Sequence, residues 1–581
     1  MLRAARLAWP LFAVLVFTIA VPGPSRAQDA VGDQGLIDTD DEPPTPEVIV
    51  QDAGADDLLP QDALPAAVFL RIEYDEGGLS GQNADDRILR LYEFYDARLY
   101  QPIWVGPAGP NDKAKVLIRA LLDSERDGLA PTDYDIGTIS SLLGLATDTA
   151  LADLEIRLSK ALLDYGRDLS AGRVEPSAVD RELHVYPEGP TAAELLTGAI
   201  NTVNFEGFLE RLAPQSPNYM RLRDTLAAYR AMAAQGGWVQ VPAGEVLKPG
   251  MRQDRVSVLR QRMIEAGFYD ATTVVEPGAD DLYDDALVAA VTVFQERHGL
   301  DPDGVVGPAT LKSLNVSIDE RVAQMELNME RRRWMEDDLG PEYVFVNLAD
   351  FELKVVKGAK TVHTARVVIG KPYHRTPVFS AKMTYMVMNP YWHVPPSIAG
   401  KELLPKLKRD PGSLSRDGIR VLAGWGENAA EINPYQVNWA SYSARNFPFK
   451  LRQDPGNGNA LGRIKFMFPN EFNVYIHDTP SKSLFARNVR SFSHGCVRVQ
   501  DPTELAEVLL DGQERWSPRA ISSTISEGRR RVVRLDDPID VHVTYLTAWV
   551  NKDGSVHFRD DIYERDARLV EALLRSRRGG A

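Results

Sequence analysis

The sequence predicts a multi-domain α+β protein, helical in its first half and β-rich in its second. Three observations predict it. A length of 581 residues suits roughly three to four domains. Apolar residues recur at helical spacing from residue 66 to 316. From Glu342 onward, β-branched and aromatic runs take over. Apolar residues make up 44% and charged residues 25%, which is ordinary for a globular chain and excludes a collagen, a disulfide scaffold and a multi-pass membrane protein.

Charge is unevenly placed. The formal net charge is −16, from 66 basic and 82 acidic residues. Residues 28–65 hold eleven Asp or Glu and no Lys or Arg. The remainder is only mildly acidic, without the basic footprint of a nucleic-acid binder. Ahead of this segment, Arg3 and Arg6 precede an apolar run from Leu7 to Val21, followed by Ser25-Arg26-Ala27. A positive start, a short apolar run and small residues at −3 and −1 read as a signal peptide over 1–27. The competing reading is an uncleaved anchor, but the run falls short of the about 20 residues that a span needs. The expected location is the periplasm or its equivalent, with a weak membrane tether only if the peptide is uncleaved. Residues 28–65 read as an acidic disordered linker, too polar to bury a core.

Residues 66–240 read as a helical scaffold. Ile88, Leu91, Tyr92 and Tyr95 form one stripe, and Leu117, Ala120, Leu121 and Ser124 a second. Leu154, Leu158, Ala161, Leu162 and Tyr165 form a third. None carries a catalytic constellation. Residues 245–316 read as a compact three-helix module. Val256, Leu259, Met263 and Ile264 line one helix, and Ala286, Ala290, Val293 and Phe294 the next. Gly299 ends the second helix as a C′ residue. Asp301-Pro302-Asp303-Gly304 is a plain turn, since the ligand series and closing Glu of a calcium loop are missing.

Strands are expected at Tyr343–Leu348, Phe351–Val356, Ala365–Gly370, Thr384–Asn389, Arg463–Phe468 and Val474–His477. Residues 401–460 read as an insertion over the sheet. Val541–Tyr545 and Val556–Phe558 flank the hairpin signature Lys552-Asp553-Gly554. Val570, Leu573 and Leu574 suggest a closing helix. The β-rich domain spans 340–565.

The chemistry is concentrated near the single cysteine, Cys496. An exported chain this long with one cysteine makes no internal disulfide. Its thiol is either an inert packed side chain or a reactive one. Tyr475-Ile476-His477-Asp478 is followed, fifteen residues after the histidine, by Ser493-His494-Gly495-Cys496-Val497-Arg498. A cysteine nucleophile needs a base to take its proton, and His477 at a strand end can supply one. Gly495 permits close backbone approach, and the Cys496 amide can help hold an oxyanion. Asp501, Pro502 and Glu504 read as a capped helix start that braces the loop. His477, His494 and Cys496 are also metal-ligand types. Their spacing matches no zinc motif and offers no fourth ligand, so no metal or cofactor is expected.

Two motifs resemble known families. Ala290-x-x-x-Phe294-Gln295 followed by Gly299-Leu300-x-x-Asp303-Gly304-x-x-Gly307-x-x-Thr310-x-x-x-Leu314 resembles the small peptidoglycan-binding domain. His477 with Ser-His-Gly-Cys-Val-Arg resembles the L,D-transpeptidase catalytic domain. Gly370–Pro377, Asn389–Ile398 and Leu461–Phe466 are similar to its large Gram-negative members. Those also carry a scaffold with a segment like Phe94 to Trp104, and can hold the wall-binding module inserted within it. The resemblance implies Cys496 as nucleophile, His477 as base and a backbone carbonyl as third partner. Ser493, His494, Gly495 and Arg498 would shape the oxyanion site and groove. Tyr475 and Trp392 are groove walls or core packing. The implied reaction is acyl transfer on peptidoglycan stem tetrapeptides, releasing terminal D-alanine and forming 3–3 cross-links. Water as acceptor would make an L,D-carboxypeptidase, and a protein amine a protein-to-wall linker. A non-catalytic wall-binding scaffold is the rival of another class. The sequence sets no oligomeric state.

Overall fold

The computed structural model describes residues 63–78, 86–424 and 429–579. The expected signal peptide at 1–27 and residues 28–62 of the expected linker lie outside them. Helix α1 (Ala63–Gly78) begins inside the expected linker, because Val68 and Ile72 have a core to bury against. Helices α2 (Asp86–Asp96), α3 (Asp112–Leu122) and the long α4 (Asp148–Ala171) follow. Asn111 and Thr147 cap α3 and α4 by accepting the Ala114 and Ala150 amides. The expected stripes face inward: Leu91, Tyr95, Leu117, Leu121, Leu154, Leu158 and Leu162 share one core.

A buried carboxylate organises that core. Glu155 on α4 is fully buried. Its Oε1 accepts the Tyr95 hydroxyl and the Ile103 N–H, each at 2.5 Å, and its Oε2 accepts the Trp104 and Val105 N–H groups at 2.8 and 3.1 Å. Ser159 accepts the Trp104 indole N–H at 2.8 Å. The segment from Phe94 to Trp104 thus turns around a carboxylate, with Leu99 and Tyr100 at positive φ. Burial pushes the Glu155 pKa up to about 7, against the pull of its four donors.

Helices α5 (Ala192–Asn201) and α6 (Pro217–Ala234) extend this bundle. Helices α7 (Asp254–Glu265), α8 (Asp285–Arg297) and α9 (Pro308–Leu314) then build a separate core around Val256, Leu259, Met263 and Phe294. The α8 face is rotated from the expected one. Leu287 and Val291 are buried with Ala290 and Phe294, while Ala286 and Val293 are exposed. Packing against α7 decides between two neighbouring stripes of similar hydrophobicity. Gly299 takes φ 68°, as its C′ position requires.

Helix α10 (Ile318–Arg333) returns to the first bundle, where Met325 and Met329 are buried. The three-helix module is therefore flanked on both sides by helices of one core. The charged end of α10 is buried as well. Glu330 accepts the Arg173 and Val174 N–H groups, Arg333 binds Glu330 and the Tyr219 hydroxyl, and Arg331 pairs with Asp566.

The β-rich part is built from β1 (Glu342–Asn347), β2 (Glu352–Lys357), β3 (Lys360–Gly370) and β4 (Phe379–Met388). A small sheet of β5 (Trp392–His393), β6 (Ile419–Leu422) and β7 (Lys450–Gln453) interrupts it. The main sheet resumes with β8 (Ile464–Met467), β9 (Ile476–His477), β10 (Ser491–Ser493), β11 (Val497–Val499) and β12 (Arg531–Thr544). Its order is β10-β3-β11-β9-β8-β4-β12-β1-β2, and a further β2–β3 pairing closes it on itself. The enclosed core includes Val344, Val367, Met386, Phe466, Ile476, Val497 and Val541.

Four expectations need correction. The insertion is bounded at 392–453 rather than 401–460. Trp392 and His393 pair with Gln453 and Arg452, so residues before Lys401 close its sheet. Its own core holds Val394, Leu404, Leu407, Trp439 and Leu451. Second, Val556–Phe558 pairs with Ala548–Val550 and not with Val541–Tyr545, which lies in the main sheet. Third, the β-rich domain does not stop at 565. The last helix, α12 (Arg565–Gly579, after α11 at Pro502–Leu509), buries Leu569 and Ala572 in its core, whereas Val570 and Leu574 are exposed. Fourth, Asp501 occupies the N-cap of α11 at φ 46° but its side chain makes no cap hydrogen bond.

Candidate active site

Three adjacent strands place the chemistry. β8 pairs antiparallel with β9, setting Lys465 opposite His477. β9 pairs parallel with β11, setting His477 opposite Arg498. Registered partners project to the same side of a sheet. Their neighbours Ile464, Phe466, Ile476 and Val497 fill the core. Lys465, His477 and Arg498 therefore stand in a row on the opposite face, histidine in the middle.

His477 is only 5% exposed. Its Nδ1 lies 2.5 Å from the Asp478 carbonyl oxygen, so Nδ1 carries the proton and Nε2 is left as an acceptor. Burial, and then the charges of Arg498 and Lys465, hold its pKa down to about 3. The ring is thus neutral at ordinary pH. Asp478 turns its carboxylate elsewhere, accepting the Arg463 and Thr479 amides at 2.7 and 2.6 Å.

Cys496 immediately precedes β11, beside Tyr475. The Val497 N–H donates to the Tyr475 carbonyl at 3.1 Å. The thiol's hydrogen bond goes to the Asn473 carbonyl at 3.8 Å. Among the described residues, none joins the thiol to His477. Burial pushes the thiol pKa up, while Tyr475, Lys465 and Arg498 pull it back.

The loop before Cys496 is braced from behind. Gly495 sits at φ 115°, a conformation that favours glycine. Ser493 is buried, donates to the Cys496 carbonyl at 2.6 Å and accepts the Gly495 N–H at 3.1 Å. Thr376 donates to the Gly495 carbonyl at 2.8 Å and accepts the Gly370 N–H at 3.0 Å. A half-buried, loop-braced thiol at the start of the strand that pairs with that of a neutral, oriented imidazole can do nucleophilic acyl chemistry.

Three segments of the chain match known families. Residues 341–521 match the family model of the L,D-transpeptidase catalytic domain. The chain carries an L,D-transpeptidase catalytic domain. Residues 90–226 match the scaffold domain and residues 252–314 the "Putative peptidoglycan binding domain". A Haemophilus influenzae protein named "Putative L,D-transpeptidase" is 32% identical over 231 residues, covering 39% of this chain and 46% of that protein. The Bacillus licheniformis N-acetylmuramoyl-L-alanine amidase CwlL is 39% identical over 71 residues, covering 12% of this chain and 19% of that protein. The chain thus spans less than half the length of these curated relatives. The crystal structure of an L,D-transpeptidase from Xylanimonas cellulosilytica aligns over 52% of this chain and 98% of that one, at 16% identity and a TM-score of 0.18.

Within the L,D-transpeptidase domain the expected site residues separate into two groups. His477, Cys496, Ser493, Gly495, Arg498 and Tyr475 converge. Trp392 instead packs on the core of the insertion. His494 is exposed, and its Nε2 lies 2.7 Å from Glu402 Oε1 on a π-helical turn (Ala399–Leu403) of that insertion. Lys465, Asn473, Thr376 and Glu402 were missed. Alternation around Ile464 and Phe466 marks Lys465 as facing away from the core, but only sheet register brings it to His477.

The His494–Glu402 pair carries an expectation. His494→Ala and Glu402→Ala should each slow acylation by a carbapenem less than about tenfold, far less than loss of His477. Contacting partners couple, so the double variant should be no worse than the more damaging single one. Single-turnover acylation rates check both points.

Proposed function

We propose that the protein is a periplasmic L,D-transpeptidase acting on peptidoglycan stem tetrapeptides. The observation that carries this reading is that Cys496 immediately precedes the strand that pairs with the strand of His477, inside residues that match an L,D-transpeptidase catalytic domain. In the proposed reaction His477 Nε2 takes the thiol proton as the sulfur attacks the carbonyl of the third stem residue, a diaminopimelate, at its L-centre. Among the described residues the Cys496 N–H donates to no protein acceptor, which leaves it available to the oxyanion. The bond to the terminal D-alanine breaks, and its amine leaves with the proton held by His477. An amine of a second stem then attacks the thioester. Its proton passes to His477 and on to the departing sulfur, and a 3–3 cross-link results.

Mass spectrometry of wall fragments incubated with purified mature protein tests this. New 3–3 linked dimers support transfer, trimmed tripeptides alone point to a carboxypeptidase, and protein-linked stems to an attachment enzyme. An unchanged wall contradicts an active enzyme.

The module matched at 252–314 has its own core and is proposed to add wall affinity. Coupling a weak binder to an enzyme raises local substrate concentration without new catalytic contacts. The isolated module should sediment with purified sacculi, and retention no better than a control protein removes this role. Among the described residues no helix is long and apolar enough to cross a membrane. Export is proposed to end in cleavage after Ala27. N-terminal sequencing of the exported protein should begin at Gln28, and an intact N-terminus held in membranes contradicts it.

A further inference from the structure

Lys465 has no place in the cysteine–histidine scheme, yet the fold installs it at the centre of the site. Its side chain is half-buried. Its Nζ sits 3.7 Å from the centroid of the Tyr475 ring, a seat that attracts a cation through the negative ring face. Among the described residues it makes no ion pair and no hydrogen bond. The charged and titratable groups around it come from every neighbouring element. β9 is preceded by Tyr475 and contributes His477, β11 is preceded by Cys496 and contributes Arg498, and β5 contributes His393. Arg530 approaches from the segment before β12. β4 contributes Val387 opposite Lys465. None of these is a carboxylate. A half-buried ammonium without an anion is poorly solvated, and the one group here that becomes an anion during the reaction is the Cys496 thiol.

Tyr475 joins the two. Its ring carries the ammonium, and its main-chain carbonyl accepts the N–H of Val497, the residue after Cys496, at 3.1 Å. We propose that Lys465 is a positioning residue of this site: its ammonium, seated on Tyr475 beside Cys496, stabilises the thiolate that attacks the substrate carbonyl. The same row explains the division of labour. Lys465 and Arg498 flank His477 and disfavour a positive charge on it, so the ring rests neutral with Nε2 unprotonated. The thiolate, by contrast, gains from both cations. The inference rests on Cys496 being the nucleophile.

The test is the pH profile of iodoacetamide alkylation, read by intact mass on the full chain. The chain has one cysteine, so every cysteine adduct reports on Cys496. Lys465→Met keeps most of the stem and removes the charge. It should slow alkylation near pH 7 by about three- to tenfold and move the midpoint of the profile to higher pH, since the thiolate fraction changes tenfold per pKa unit. Lys465→Arg should restore the profile. If Lys465→Met folds poorly by thermal melting, Lys465→Gln serves in its place. A profile that superimposes on that of the unsubstituted protein overturns the inference, as does failure of arginine to restore it. The underlying reading fails differently. Cys496→Ser that still forms cross-links would remove Cys496 as nucleophile, whatever the alkylation profile shows.

Discussion

Cys496→Ser is expected to abolish cross-linking of wall fragments. A serine hydroxyl is far harder to ionise than a thiol, and a site arranged around a thiol need not activate it. His477→Ala should lose about 10²- to 10⁴-fold, the usual contribution of a positioned general base. The two losses should not add in the double variant, because nucleophile and base act as one unit. The neutral state of His477 adds a second readout. Burial and two flanking cations hold its pKa down to about 3, so kcat/KM should show no inflection near pH 6.5, the ordinary histidine value. Single-turnover acylation, with folding checked by thermal melting, measures all of this. If His494→Ala stops acylation while His477→Ala leaves it intact, the base has been misassigned.

The second large effect is on stability and lies far from the thiol. Glu155→Ala should destabilise the helical bundle by about 3 to 5 kcal/mol. It strands the buried N–H groups of Ile103, Trp104 and Val105, and each unpaired buried donor costs about 1 to 3 kcal/mol. Glu155→Gln should be milder, because one acceptor oxygen survives, but still destabilising, because its NH₂ meets donors. Melting temperature and amide hydrogen exchange at Trp104 and Val105 check it. Faster exchange at these amides without a change elsewhere would locate the loss in this cluster. A melting temperature unchanged in Glu155→Ala contradicts the role given to the carboxylate.

These two sites differ in how far they could be read from sequence. The Ser-His-Gly-Cys-Val-Arg run and the upstream histidine were legible as a candidate site because the proposed acyl chemistry would restrict residue type and spacing there. The helical stripes of α3 and α4 were legible because burial of one face imposes a 3.6-residue period. So was the strand texture after Glu342. Glu155 was not, since one acidic residue on an amphipathic helix looks like any solvated charge. Its meaning depends on Ile103, Trp104 and Val105 arriving about fifty residues away in the chain.

What the sequence by itself determined was the order of helical and β-rich parts, the small three-helix module and the candidate pair Cys496 and His477. Each is written in a local period or a short motif. Tertiary structure alone decided three further matters. It buried the charged end of α10, pairing Arg333 with Glu330 and Arg331 with Asp566. It set the insertion's limits through the pairing of Trp392 with Gln453. It also chose the register that aligns Lys465, His477 and Arg498. The reason is common to all three. Register and packing are fixed by contacts between residues distant in the chain, and a shift of one residue would turn each of these side chains to the opposite face.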